Sequence, residues 1–488
     1  MAYLLLMFFP AAMSASCFVL RKQTRLVIGI AVATMLTQLV LASQLPPDQP
    51  SRLLGLTLVL DPLSRLFLMT FFCVGAFAFL SSWGIPHGEN FVPVALLMLC
   101  FSGATILLLQ EPFVVSLLLI SGGLLAVLAI VDLPTGSPSL VERASIATGL
   151  KYLVLMVIAG VMMYLAFVMV NIYRPSDAID RVSPAHLILG LIAIGFGLRL
   201  ATVPFHSWLP DLTEDAAPMV SVIVVTVINV TSLLFLINTF QFFPVLIQEN
   251  ETGLRILQAF GIATSLLGAT LALSQPNMRR TLGYLIVYNA GMVFFGLTTM
   301  TIPGLSGALF ESFNQIIVVT LLFLCVGLLE RPDGRPPNVV RRDLLWRWPI
   351  AGTGLIVGCL ALIGLPPFNG FASKLLIYQA ASEQSGVVLA FLLLSTVIAL
   401  IALVRLAYDR LLGPPEEVQV DDTPILIGTT DLDRPAPRRL DPEPRGLAVL
   451  IGILLVLCLG IGLYPQPILT AIQDVIGGLT FIRMPQSS

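Results

Sequence analysis

The feature that most constrains this chain is a recurring apolar run of about 20 residues, the length a helix needs to cross the hydrocarbon core of a bilayer. Such runs fall at 2–20, 26–43, 61–83, 91–110, 113–132, 147–171, 184–204, 217–243, 254–275, 279–299, 305–330, 350–380, 386–410 and 446–464. Backbone polar groups inside a bilayer must be satisfied within the protein, so only helices and closed barrels span it. Runs this long and evenly apolar predict helices. Charged residues make up 11% of the chain, against about 25% in a soluble domain, and mean hydropathy is +0.94. The expected fold class is an all-α polytopic membrane protein of about 14 transmembrane helices. The first run leads into Arg21, Lys22 and Arg25 without a cleavage pattern, and reads as a spanning helix rather than a signal peptide.

Composition also excludes several function classes. A net charge of −2 gives a nucleic acid nothing to bind. Cys17, Cys73, Cys100, Cys325, Cys359 and Cys458 all lie in apolar segments, none at CxxC spacing, which argues against disulfides, zinc and iron–sulfur clusters. His87, His186 and His206 are too scattered to ligate haem or copper, and no dinucleotide-binding or P-loop motif occurs. No cofactor is expected in this chain.

Basic residues set the expected orientation. Arg21, Lys22, Arg25, Arg143, Arg279, Arg280, Arg331, Arg335, Arg341, Arg342, Arg347, Arg434, Arg438, Arg439 and Arg445 follow odd-numbered segments, whereas the opposite loops hold only Arg52, Arg174, Arg181, Arg255 and Arg483. The odd loops, including the long polar loops 331–348 and 411–445, are predicted to be cytoplasmic, with both termini outside.

Two segments are interrupted alike: the seventh contains GLRLATVPF and the twelfth GLPPFNGFASK. Glycine and proline free backbone groups that need protein or water as partners. Paired breaks five helices apart are the mark of inverted-repeat transporters. The expected organisation is 1–90 (helices 1–3), 91–243 (first repeat, helices 4–8), 254–410 (second repeat, helices 9–13), a cytoplasmic loop 411–445, and 446–488 (helix 14 and C-terminal tail).

Charge inside these segments is chemically selective. The chain has 26 basic residues, of which only Lys22, Lys151 and Lys374 are lysine. A desolvated lysine can release a proton near neutral pH; arginine practically cannot. Lys374, at the break of segment 12, is the leading proton-path candidate, because buried charge in a membrane is costly and usually functional. Lys151 is either part of that path or snorkels to the interface. The stretch IGFGLRLATVPFHSWLPDLTEDAAP (194–218) concentrates the remaining candidates. Arg199 is a structural cation or a charge that tunes its neighbours, and His206 is a proton relay or a loop histidine. Asp211, Glu214 and Asp215 form a proton antenna, or Glu214 and Asp215 cap the next helix. Glu311 and Arg405 are further intramembrane charges, with local pairing as the simplest reading.

The segment VPFHSWLPDLTEDAAPMVS resembles the proton-conducting membrane subunits of NADH:quinone oxidoreductase and the related Mrp-type antiporter subunits. So do LGLTLVLDPLSRLF (54–67), GLKYLVL (149–155), NMRRTLGYLIVYNAGMVFFGL (277–297) and GLPPFNGFASKLLIY (364–378), a similarity spanning roughly residues 50–410. The lysine after the helix 12 break and the short end after helix 14 resemble the N-type subunit of complex I. The family works through a helix 5 glutamate, lysines in helices 7 and 8, and a lysine or glutamate in helix 12. In this sequence those positions fall on Ser121, Arg199, Asn229 and Lys374. A helix 10 histidine of many relatives falls on Asn289, and a helix 11 lysine of some falls on Val319.

The resemblance implies a membrane-arm subunit of a complex-I-like NAD(P)H or ferredoxin:quinone oxidoreductase in a bacterial-type inner membrane or a thylakoid-like membrane. Its partners would be the lipid bilayer, other membrane subunits, and redox subunits carrying iron–sulfur clusters. Alternatives are a subunit of a Na+/H+ antiporter or inorganic-carbon uptake complex, and an ion-silent spacer. With Ser121 and Asn229 replacing titratable groups and Arg199 replacing a lysine, the N-terminal half-channel is expected to be impaired, or to use a different route through His206 and Glu214.

Overall fold

The computed structural model describes residues 2–46, 50–53, 55–85, 87–132, 139–172, 184–244, 250–330, 344–413 and 443–479. Most of the two long polar loops (331–343 and 414–442), together with Arg174, Arg181, Arg483 and the side chain of Arg143, lies outside the described residues.

The described chain is a bundle of helices. They run α1 (Ala2–Val19), α2 (Thr24–Gln44), α3 (Pro62–Ser81), α4 (Phe91–Leu107), α5 (Pro112–Val131), α6 (Ser139–Ile172), α7 (Pro184–Arg199), α8 (Trp208–Asp215) and α9 (Pro218–Phe242). The second half comprises α10 (Glu251–Ser274), α11 (Met278–Thr298), α12 (Ile302–Leu329), α13 (Pro349–Ile363), α14 (Gly370–Gln384), α15 (Gly386–Arg410), α16 (Arg445–Leu463) and α17 (Gln466–Ile476). Among the described residues, ten helices are long and apolar enough to cross a membrane, and four more apolar helices are shorter. This is an integral membrane protein.

Helix starts follow local chemistry. Pro62 and Pro112 sit in the first turns of α3 and α5, where a missing N–H costs nothing. Asp61 and Thr301 accept hydrogen bonds from Ser64 N and Gly304 N, capping α3 and α12. α9 and α12 are buried along their whole membrane windows and α11 nearly so, whereas α15 and α16 turn most of their surface outward. Many of the buried polar residues, Asn229, Asn289 and Glu311 among them, sit on the central helices α9, α11 and α12.

The structure departs from expectation in three places. A small antiparallel hairpin, β1 (Ser51–Leu53) with β2 (Leu56–Leu58), interrupts the all-helical pattern. Thr57 N donates to Glu111 Oε1 (3.1 Å), tying it to the start of α5. The seventh segment stops being helical at Arg199, five residues before the expected end at 204, and resumes as the short α8. The C-terminal tail contains α17, an amphipathic helix that buries Ile472 and Ile476. It is too short for a spanning window, and only one of its faces is apolar.

Candidate functional site

Two helix breaks organise the polar interior, and each contains an X–Pro bond in cis, at Val203–Pro204 and Pro366–Pro367. In the first break, the carbonyls released at the end of α7 are taken up locally. Thr202 N donates to Gly197 O (3.0 Å) and Trp208 Nε1 donates to Leu198 O (2.9 Å). In the second, α13 ends on Gly364, whose φ of +88° suits a residue without Cβ. A side chain there would also stand 2.5 Å from Lys374 Cδ. The break thus ends a helix and makes room for the lysine stem.

Lys374 lies one turn into α14 and is 1% exposed, as is Glu311 on α12. Its Nζ donates to Asn289 Oδ1 on α11 (2.6 Å), stands 3.3 Å from Glu311 Oε1, and lies 4.8 Å from the Tyr288 ring centroid. The opposite oxygen of Glu311 accepts from Ser373 Oγ (2.5 Å), and Asn314 Nδ2 donates to Ser373 Oγ (3.1 Å) and to Asn369 O (2.9 Å). Asn289 Nδ2 donates to Gln315 Oε1 (3.2 Å). Tyr288 and Tyr378 hydroxyls both reach Thr396 Oγ1, at 2.9 and 2.6 Å. Local pairing was the simplest expectation for Glu311; instead it pairs across helices with the lysine. The Asn369 amide and Asn314 Oδ1 are buried without a protein partner, which marks the break as a place that ordered water fits.

From Gln315 the polar line continues to a cavity of about 30 Å³ bordered by Ser312, Gln315 and Asn229, room for a water or two. Asn229 follows a π-helical segment, Val224–Ile228. Such bulges are enriched at functional sites.

Arg199 is buried at the end of α7. Its Nε donates to Ser232 Oγ on α9 (2.8 Å) and its Nη1 to Leu119 O on α5 (3.4 Å). Ser121 is not part of this group; its hydroxyl donates to Leu117 O (2.9 Å) within α5.

The other candidates gather around α8. Lys151 Nζ meets Asp211 Oδ2 at 2.6 Å and donates to Ser207 O at 3.3 Å. Arg280 on α11 bridges Asp211 (3.3 Å) and Glu214 (2.9 Å), and Asn277 Nδ2 also donates to Glu214 (2.9 Å). Asp215 accepts from Thr148 Oγ1 (2.5 Å). The capping reading of Glu214 and Asp215 is therefore replaced: α9 starts at Pro218, its N-cap Ala217 has no side-chain cap, and both acids are engaged by α6 and α11. His206 sits in the first break with its ring 6.3 Å from that of Tyr284, outside the ion-pair belt. Arg405 pairs with Asp409 one turn on (3.4 Å).

A family model for the transmembrane region of NADH:quinone oxidoreductase and Mrp antiporter subunits matches residues 120–399, more than half the chain. The chain belongs to this family. Similar solved structures include the Mrp complex from Dietzia sp. DQ12-45-1b, with a TM-score of 0.79 and 18% identity over 97% of this chain and 96% of that one. The membrane-bound sulfane sulfur reductase, an archaeal respiratory membrane complex, matches with a TM-score of 0.81 and 22% identity, covering 97% of this chain and 77% of that one. Respiratory complex I from Thermus thermophilus matches with a TM-score of 0.75 and 18% identity, over 98% and 99%. At these identities the likeness speaks for the fold.

The family-position residues divide in space. Asn289 and Lys374 touch, and Asn229 opens towards them through the small cavity. Arg199 reaches α9 at Ser232, one turn after Asn229, Ser121 bonds within its own helix, and Val319 is buried on α12. Tyr288, Ser373 and Asn314 are not among the residues read from sequence, and Glu311 is read there only as an intramembrane charge that pairs locally. Glu311 did carry a signal, as the sole charge in the apolar stretch of α12.

Proposed function

We propose that this chain is a proton-translocating membrane subunit of a larger assembly, with its working half-channel built around Lys374 and Glu311. The observation that carries this reading is the buried lysine–glutamate pair at the second helix break, hydrogen-bonded to Asn289 and flanked by unpartnered polar atoms. A lysine in a dry site is a usable proton carrier. Coulomb attraction weakens as partners separate, so the Lys374–Glu311 contact is the one that a shift of α12 against α14 would alter.

This reading includes fourteen spanning helices in two inverted repeats, 91–243 and 254–410, supported by the matched breaks. Both termini are placed outside, and the ion-pair belt of Lys151, Asp211, Glu214 and Arg280 at the cytoplasmic end, supported by the arginine distribution. Partners are other membrane subunits, with redox subunits bearing iron–sulfur clusters in a complex-I-like assembly. A subunit list of the purified complex separates that from an antiporter or carbon-uptake complex. The N-terminal half, with Arg199 where a lysine is usual, is read as conducting little or nothing.

Lys374→Met in the reconstituted complex is expected to lower coupled proton uptake at least tenfold while the complex still assembles. Full uptake by assembled variant complexes would instead identify the chain as a spacer.

A further inference from the structure

A guanidinium cannot shed its charge to escape burial, and an unpaired charge in a low-dielectric interior is among the costliest features a protein can carry. Arg199 is 1% exposed. Among the described residues no carboxylate lies within ion-pair distance of it; its contacts are Ser232 Oγ, Leu119 O and, electrostatically, the Tyr152 phenol. The acid belt around α8 is already engaged, since Asp211 holds both Lys151 and Arg280.

Two donors point at nothing. Arg199 Nη2 and the Tyr152 hydroxyl are both buried without a hydrogen-bond partner, and Tyr152 is fully buried against the edge of Trp208. Space adjoins them. Gly122 is buried, yet a side-chain carbon built on it meets no atom within 4 Å. It lies one turn beyond Leu119, whose carbonyl receives Arg199, and beside Gly123, which faces Met156 one turn beyond Tyr152. Donors without acceptors around a fixed cation exclude a metal ion. Water alone would satisfy the hydrogen bonds but leave the charge unbalanced.

We infer that the space between α5, α6 and α7, bounded by Arg199, Tyr152 and Gly122, binds a small monovalent inorganic anion of chloride size. The anion stands in for a counter-charge that the chain does not supply and fixes the N-terminal half in one electrostatic state. The proposal is independent of whether the Lys374 half conducts.

The test uses the purified complex in detergent. Binding of radiolabelled chloride is measured by equilibrium dialysis, and melting is compared in chloride and gluconate at equal ionic strength. Wild type is expected to bind chloride stoichiometrically at this site and to melt a few degrees higher in chloride. Arg199→Gln is expected to lose both effects. Should that variant fail to assemble, Gly122→Glu decides, because it places a tethered carboxylate in the space. It is expected to exclude chloride and to melt identically in both salts, near the wild-type value in chloride. Wild type that binds no chloride, or Gly122→Glu with wild-type chloride dependence, overturns the proposal.

Discussion

Lys374 and Arg199 are both buried cations at the ends of broken helices, and the chemistry of their head groups separates them. Lys374 has an acid within 3.3 Å and can give up its proton; Arg199 has neither property. Lys374→Arg should therefore keep a charge beside Glu311 while blocking proton release. The expected result is an assembled complex with proton uptake as low as that of Lys374→Met, followed with a pH-sensitive dye in proteoliposomes. Uptake near wild type would show that the site needs a charge and not a transferable proton. The pair also has a stability consequence. Removing one member strands the other, a loss of about 3–5 kcal/mol for a buried pair. Glu311→Gln and Lys374→Met alone should each lower the melting temperature, and the double variant should fall by less than their sum, because no stranded charge remains. Additive losses would mean that the two groups do not interact.

At the scale of elements, helix interiors and the places of the two breaks were legible in the sequence, but the residue at which the first break begins was not. Long apolar runs can only become helices in a bilayer, so α9, α10 and α12 lie within a few residues of their expected limits. The end of α7 at Arg199 depends on something the apolar pattern does not encode. Ala201 adopts φ +55°, a left-handed conformation that Thr202 and Trp208 stabilise by binding the released carbonyls. Cross-helix pairing was equally invisible. Nothing in the spacing of residues 211, 214 and 280 says that Arg280 binds both acids, and Glu311 and Lys374 are brought together only by the packing of α12 on α14. Gly364 joins the break to the site. Gly364→Ala should cost about 1 kcal/mol for the left-handed backbone alone, with a further loss from contact with the Lys374 stem. The expected outcome is a modest fall in melting temperature with a disproportionate fall in proton uptake. A variant that loses stability but pumps normally would show that the break tolerates displacement of the lysine.

At the scale of the whole molecule, orientation decides which end of each half meets which compartment, and it rests on where arginine accumulates along the chain. If the odd loops are cytoplasmic, Lys22 between α1 and α2 faces the cytoplasm, and Glu251 at the start of α10 faces outward. Both are exposed. Native thiols leave a quiet background: five of the six cysteines are buried, and Cys73 lies within the apolar α3. A membrane-impermeant maleimide should therefore label Glu251→Cys in right-side-out membranes and Lys22→Cys only in inverted ones. The reverse pattern would put the ion-pair belt of Lys151, Asp211, Glu214 and Arg280 on the outer face. That would change what the belt is for, because Arg280 lies on the same side as Lys22 in the odd-loop scheme. On the cytoplasmic side the belt borders the first break, and Asp211 and Glu214 would face the compartment from which protons are taken up. On the outer side those acids would border an exit, and the direction of transfer through Lys374 would have to be reassigned.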